Sequence, residues 1–276
     1  MARWTRQGRG VLFYLVQRLH RTLEELIPAC CAHHRGHGGV KGAVRSVHSN
    51  LEAGLFVARF DIASYYDSMQ HGVVLDQLAE AGVSELDLRR VAAYLRLPDR
   101  DQLHRGIVAG GGLSPLLGGL YLTPLDRAMS RRKARGQLVG YVRYMDDIVL
   151  MARTRWHLRK AIAELHERIR PLGLRLHRVK RFVGRASDGF DFLGYRFRTG
   201  RRLRPSRQSL DRLRTRARRL HERGADLHRL RQYVVRWWKW LHGGLCGLVS
   251  RRGWVSRTYS HILFHLRIDR SMSRAP

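Results

Sequence analysis

The sequence predicts an α+β chain that ends in a basic helical segment. Three observations lead there. Three apolar stretches of strand length, LFVARFDI (55–62) and the pair VGYVRYM and IVLMA around Asp146-Asp147, lie among segments with helical spacing. Hydrophobic residues make up 44 % of the 276, enough to form a core and to exclude wholesale disorder. From residue 201 onward, apolar stripes at helical spacing alternate with arginines. The length suits one large domain or two small ones, and no fixed-period repeat runs through it.

In chain order, Leu12, Leu15, Leu19, Leu23 and Leu26 step by three and four, which predicts a helix over 12–29. The small, polar CCAHHRGHGG (30–39) breaks it. Residues 40–51 form a short helix with Ala43, Val44, Val47 and Leu51 inward, and 55–62 is a strand carrying Asp61 near its end. One helical stretch is expected over 71–96, then a glycine-rich segment over 106–119, then helical spacing again in LYLTPLDRAM. The two runs flanking Asp146-Asp147 read as a hairpin, and 157–170 as an amphipathic helix with Leu158, Ile162, Leu165 and Ile169 on one face. In 201–276 one stripe is Leu210, Leu213, Ala217 and Leu220; the other is Leu227, Leu230, Val234, Trp237 and Leu241. Trp237, Trp238 and Trp240 cannot all face one core, so at least one is exposed or stacks on a base or sugar.

Lys+Arg 53 against Asp+Glu 22 gives +31, a charge that repels itself unless a polyanion shares the surface. Nucleic acid is the first partner to consider and an anionic membrane surface the second. Of the 53 basic residues 48 are arginine, which a GC-rich genome or selection for phosphate and base contact would equally produce. Residues 201–276 hold 20 Lys/Arg against four acids, and a nucleic-acid surface is favoured there over an ordinary solvated bundle. Three cysteines make no disulfide framework, and no secretory signal or spanning helix is visible. A reduced, cytoplasmic protein with no membrane partner is expected. Cys30-Cys31 and His33-His34 lack the usual two-residue spacing of zinc ligands, so a loop touching template or triphosphate is expected there instead.

Adjacent carboxylates at a hairpin tip raise each other's pKa, and a cation between them is the natural compensation. Hard oxygen donors suit Mg²⁺ or Mn²⁺; the competing reading is a solvated Asp-Asp turn. Asp61 shifts the balance. Three aspartates on two neighbouring strands could hold two Mg²⁺ roughly 3.5–4 Å apart, the arrangement used for in-line phosphoryl transfer.

FDIASYYDS (60–68), GGGLSPLLGGLYLTPLD (110–126), RYMDD (143–147), LGLRLHRVKR (172–181) and GFDFLGYRF (189–197) follow one another as the palm motifs of reverse transcriptases do. The chain resembles that family over about residues 40–200, and most of all the bacterial retroelement class near group II intron enzymes. The resemblance implies a right-hand polymerase with a ferredoxin-like palm. Residues 1–200 would be fingers and palm (fingers mainly 1–54 and 70–110), and 201–276 a helical basic thumb. It implies RNA-directed DNA synthesis on an RNA template, from a DNA or RNA primer and deoxynucleoside triphosphates; a dedicated non-coding RNA is a further partner it allows.

By the same resemblance Asp61, Asp146 and the Ile62 carbonyl would hold two Mg²⁺, or Mn²⁺ in their place, with Asp147 supporting. Tyr66 would lie under the incoming sugar, Tyr65 would pack inward, and Lys180 would protonate the departing pyrophosphate. Ala109, Gly110, Lys41 and Arg45 would contact the nucleotide. Ser114 and Pro115 would meet the template. Phe192, Leu193, Gly194 and Tyr195 would grip the primer, with Phe190 beneath. The chain departs from the intron-type pattern at Val108-Ala109, where Pro-Gln usually stands. Alanine cannot hydrogen-bond to the templating pair, which puts fidelity and template choice in question. Only 60 residues precede Asp61, so a shortened fingers hairpin is expected. No endonuclease, integrase, protease or RNase H segment is expected within the 276 residues. Two other functions stay open: a template-independent DNA-synthesising defence polymerase of the same fold, and a noncatalytic RNA-binding protein.

Overall fold

The computed structural model describes residues 5–97, 103–108, 111–250 and 254–266. The chain divides into two compact units, Met1–Ala186 and Ser187–Pro276. The division falls ahead of residue 201, where the composition changes, so the GFDFLGYRF hairpin belongs to the second unit.

In the first unit, Thr5 caps α1 (Arg6–Leu23) by accepting from the Gly8 N–H, which starts the helix six residues before the first leucine of the stripe. Leu15, Leu19 and Leu23 are buried. After α2 (Gly39–Ser49) and β1 (Phe56–Asp61), the stretch expected as one helix is two, α3 (His71–Glu80) and α4 (Glu85–Arg96). Gly82 takes a φ of +77° just past the end of α3, and Ser84 caps α4 by accepting from the Asp87 N–H. α5 (Ser114–Tyr121) and α6 (Thr123–Ala134) each begin with a proline in the first turn. The hairpin follows as β2 (Gly140–Tyr144) and β3 (Asp147–Ala152), then α7 (Arg155–Ile169), capped by Thr154, and β4 (Phe182–Arg185).

The four strands form one antiparallel sheet in the order β2-β3-β1-β4. With helices between β1 and β2 and between β3 and β4, this is the ferredoxin-like β-α-β-β-α-β arrangement the resemblance implied. α7 packs on β1 and β3, and α2 and α6 pack on β2. One apolar core runs through the unit, from Leu15 and Leu19 to Ile148, Leu150 and Leu165.

The second unit starts with a small antiparallel sheet, β5 (Phe190–Phe192), β6 (Tyr195–Phe197) and β7 (Arg204–Pro205). Three helices follow: α8 (Arg207–Glu222), α9 (Leu227–His242) and α10 (Trp254–His265). Leu213, Ala217, Leu230, Val234 and Ile262 form their shared core, with Trp237 packed against it, while Trp240 stands 45 % exposed. No helix among the described residues is long and apolar enough to cross a membrane.

Candidate active site

Asp61 ends β1 and Asp147 opens β3, and the two are paired in register across the strands. Between Tyr144 and Asp147, which pair across the hairpin, Met145 and Asp146 form a two-residue tip. Met145 carries a φ of +55°, a left-handed value a non-glycine residue adopts only when its surroundings impose it. The tip is tied to the chain leaving β1, because the Ile62 N–H donates to the Asp146 carbonyl at 3.0 Å. Lys180 Nζ lies 3.8 Å from Asp61 Oδ1. Arg59 Nη2 lies 2.5 Å from Asp147 Oδ1, and Arg59 Nη1 donates to the Lys180 carbonyl at 3.3 Å. Burial pushes the Asp146 carboxyl up, and the charges of Asp147 and Asp61 push it further. Burial also raises Asp147, and Asp61 adds to it, against the lowering pull of Arg59.

A second charged centre lies directly behind. Arg143 and Asp126 are both fully buried and joined through Nε at 2.8 Å and Nη2 at 2.5 Å, with the Tyr141 hydroxyl donating to the same carboxylate at 2.7 Å. Arg143 Nη1 also donates to the Met145 carbonyl at 3.2 Å, and Nη2 to the Gly119 carbonyl at 3.0 Å. The Met145-Asp146 turn is thereby fixed to α5 and α6. Neither Arg59 nor Arg143 was singled out from the sequence. A signal was present: each is an arginine inside an apolar strand run, VARFD and YVRYM, where a buried charge requires a partner.

The remaining expected site residues divide. Tyr66 is half-buried, and its hydroxyl donates to Met145 Sδ at 3.1 Å. Burial first, and Asp146 next, hold its phenol at about 12. Tyr65 is buried and donates to the Gly118 carbonyl at 2.6 Å, a packing role as expected. Gly118 and Gly119 lie inside α5, where side chains approach both closely. A Cβ at Gly118 would meet the Tyr65 and Tyr66 rings at 3.3 Å, and one at Gly119 would meet Ile27 at 3.1 Å. Ser114 is fully buried; its hydroxyl donates to the Val108 carbonyl and lies 3.0 Å from the Tyr94 hydroxyl, so it holds the start of α5 to the loop before it. Ala109 and Gly110 lie outside the described residues. Lys41 and Arg45 sit on α2, and burial lowers the Lys41 ammonium to about 8. In the CCAHHRGH loop Cys31 is buried and His34 is only 5 % exposed, while Arg35 and Gly36 are exposed. In the second unit Leu193 and Gly194 form the tip of the β5–β6 hairpin, with φ of +48° and +86°. Phe192 and Tyr195 flank it as buried side chains, and the Tyr195 hydroxyl donates to the Leu241 carbonyl at 2.7 Å.

A family model described as reverse transcriptase (RNA-dependent DNA polymerase) matches residues 8–197, more than half of the chain and the whole of the aspartate site. The chain belongs to the reverse transcriptase family. Among curated proteins it is similar to Protein YkfC of Escherichia coli (strain K12), at 25 % identity over 197 residues, 57 % of this chain and 52 % of that protein. It thus spans about half the length of that relative. Among solved structures it is similar to apo telomerase from Candida tropicalis, with TM-score 0.56, 11 % identity, and coverage of 96 % of this chain and 53 % of that one. Telomerase from Candida albicans, in complex with a fragment of telomeric RNA, gives TM-score 0.53, 13 % identity, and coverage of 93 % and 47 %. At such identities the likeness is one of fold.

Reverse transcriptases use divalent metal ions, and the donor set of this member suits them. Asp61 and Asp146 offer hard carboxylate oxygens in a partly buried place whose negative charge Lys180 offsets only from 3.8 Å. No described residue donates to the Ile62 carbonyl, which leaves that oxygen open beside them. Asp147 is engaged by Arg59. Among the described residues no three acidic, histidine or cysteine side chains already stand in ion-holding geometry, so the fit is one of donor chemistry and position.

Proposed function

We propose that this reverse-transcriptase chain is an RNA-directed DNA polymerase that adds deoxynucleotides to a primer 3′-hydroxyl. The observation that supports this best is the Asp61–Asp147 register with Asp146 at the adjoining tip. Asp61, Asp146 and the Ile62 carbonyl are the residues that would hold two Mg²⁺ or Mn²⁺, with Asp147 beside them. Bound there, the ions would lower the pKa of the attacking hydroxyl and offset the charge of the triphosphate.

The protein's own residues position the reactants, which is most of what phosphoryl transfer asks of a protein. Tyr66, held between Gly118 and Met145 Sδ, presents a fixed ring edge beside Asp146. A ribose 2′-hydroxyl would collide with that ring, so deoxynucleotides are selected. Lys180, across from Asp61, places an ammonium where departing pyrophosphate collects charge, and donates a proton to it. The arginines of 201–276 supply sequence-independent attraction to nucleic-acid phosphates.

The test is primer extension by the purified protein on an RNA template with Mg²⁺ or Mn²⁺, beside Asp146→Ala. The wild type is expected to make DNA complementary to the template and the variant none. Equal extension by both proteins, or none by the wild type across several templates and both metals, rejects the reading. Products unrelated in sequence to the template would replace it with template-independent synthesis.

A further inference from the structure

The CCAHHRGH segment is left without a role by the chemistry above, and its geometry supplies one. Residues 30–32 run parallel to β2 along its outer edge, with Cys31 opposite Arg143. The Ala32 N–H donates to the Arg143 carbonyl at 2.8 Å, and the Arg143 N–H to the Cys30 carbonyl at 2.9 Å. Pairing in that register delivers His33 to the hairpin tip. Its Nδ1 accepts from the Met145 N–H at 2.9 Å, and its Nε2 lies 3.1 Å from the Pro115 carbonyl. A backbone N–H on one side and a carbonyl on the other assign the neutral tautomer with the proton on Nε2. Burial, followed by the charge of Arg143, holds this imidazole down at about 3 and so keeps it neutral.

We infer that His33 is a positioning residue for the aspartate pair: it clamps the left-handed Met145 against the first turn of α5 and so sets where the Asp146 carboxylate points. Arg143 holds the same residue by its carbonyl, at 3.2 Å. The Met145 peptide groups are thus gripped from both sides, which accounts for a methionine persisting at a φ of +55°. The clamp also joins the tip to Pro115, in the segment the resemblance assigns to the template. The inference rests on the polymerase reading and adds to it a residue outside the five palm motifs.

Two isosteric variants separate the two bonds. Asparagine places a carboxamide oxygen near the Nδ1 position and can still accept from Met145; glutamine reaches toward Pro115 and leaves Met145 unmatched. Single-turnover nucleotide incorporation and Mn²⁺ affinity by electron paramagnetic resonance are measured for wild type, His33→Asn, His33→Gln and His33→Ala. His33→Gln and His33→Ala are expected to lose about 10–100-fold in incorporation rate and in Mn²⁺ affinity, the range for residues that orient a ligand set, with the nucleotide KM little changed. His33→Asn is expected to stay within about threefold of the wild type in both. A folded His33→Gln with wild-type rate and Mn²⁺ affinity overturns the inference, as does equal impairment of the Asn and Gln variants. If His33→Ala does not fold, the isosteric pair still decides. A wild type that neither binds Mn²⁺ nor extends a primer overturns the polymerase reading instead.

Discussion

Arg59 stands two residues before Asp61 on the same face of β1, and its guanidinium occupies one oxygen of Asp147. Its Nε is buried and meets no acceptor among the described residues, so the side chain is held there by the carboxylate and by the Lys180 carbonyl. One arginine therefore divides the acidic cluster: Asp147 is paired within the protein by Arg59, while Asp61 and Asp146 are the carboxylates proposed to hold cations. It also anchors the backbone of the lysine that faces Asp61. Arg59→Ala is expected to lower stability by about 1–2 kcal/mol in the absence of divalent ions, the scale of a partly exposed charged hydrogen bond. Arg59→Ala combined with Asp147→Asn should recover most of that loss, because no unpaired carboxylate then remains. Thermal melts of the two variants check this, and an undiminished loss in the double variant contradicts it.

At the scale of elements, two hairpins share a device. The Met145-Asp146 tip has a positive φ at its first residue, and the Leu193-Gly194 tip has positive φ at both, as a type I′ turn requires. Asn-Gly is the favoured pair for such a turn, so Leu193→Asn is expected to stabilise the protein by about 0.5–1 kcal/mol, measured by urea unfolding. A destabilised variant would mean that packing of the leucine outweighs the backbone strain. Alternation and turn logic made the aspartate hairpin legible before any coordinates: FDI and YMDDIV place Asp61 and Asp147 at paired strand ends and Asp146 at the tip between strands. The same logic missed the break at Gly82-Val83-Ser84, although a glycine after one helix and a serine before the next were both in view. It also missed the pairing of residues 30–32 with β2, because three small residues carry no periodicity of their own.

At the scale of the molecule, family membership, the β2-β3-β1-β4 sheet and the basic C-terminal helices were legible from five ordered motifs and from charge. The hydrogen-bonded support behind the turn was not, since Arg143–Asp126 and His33–Met145 join residues 17 and 112 positions apart. Those buried imidazoles have a global consequence. His34 is held down at about 4, by burial first and then by His37 and His20, and His33 at about 3. An unfolded histidine titrates near 6.5, so between roughly 6.5 and 4 the unfolded chain takes up protons that the folded chain refuses. Stability is therefore full above that window and falls as pH drops through it. Melting temperatures from pH 7.5 to 5 should decline, and His34→Gln should flatten the decline; an unchanged slope would remove His34 from the account.

The claim on which the rest depends is that Asp61 and Asp146, brought together from opposite strands, act as one unit in phosphoryl transfer. Single-turnover incorporation of one deoxynucleotide on an RNA template by wild type, Asp61→Ala, Asp146→Ala and the double variant measures this most directly. Each single variant is expected to lose at least about 10³-fold in rate, with the double variant losing no more, because groups that work together are not additive. A single variant within about tenfold of the wild type, or losses that multiply in the double variant, would contradict it.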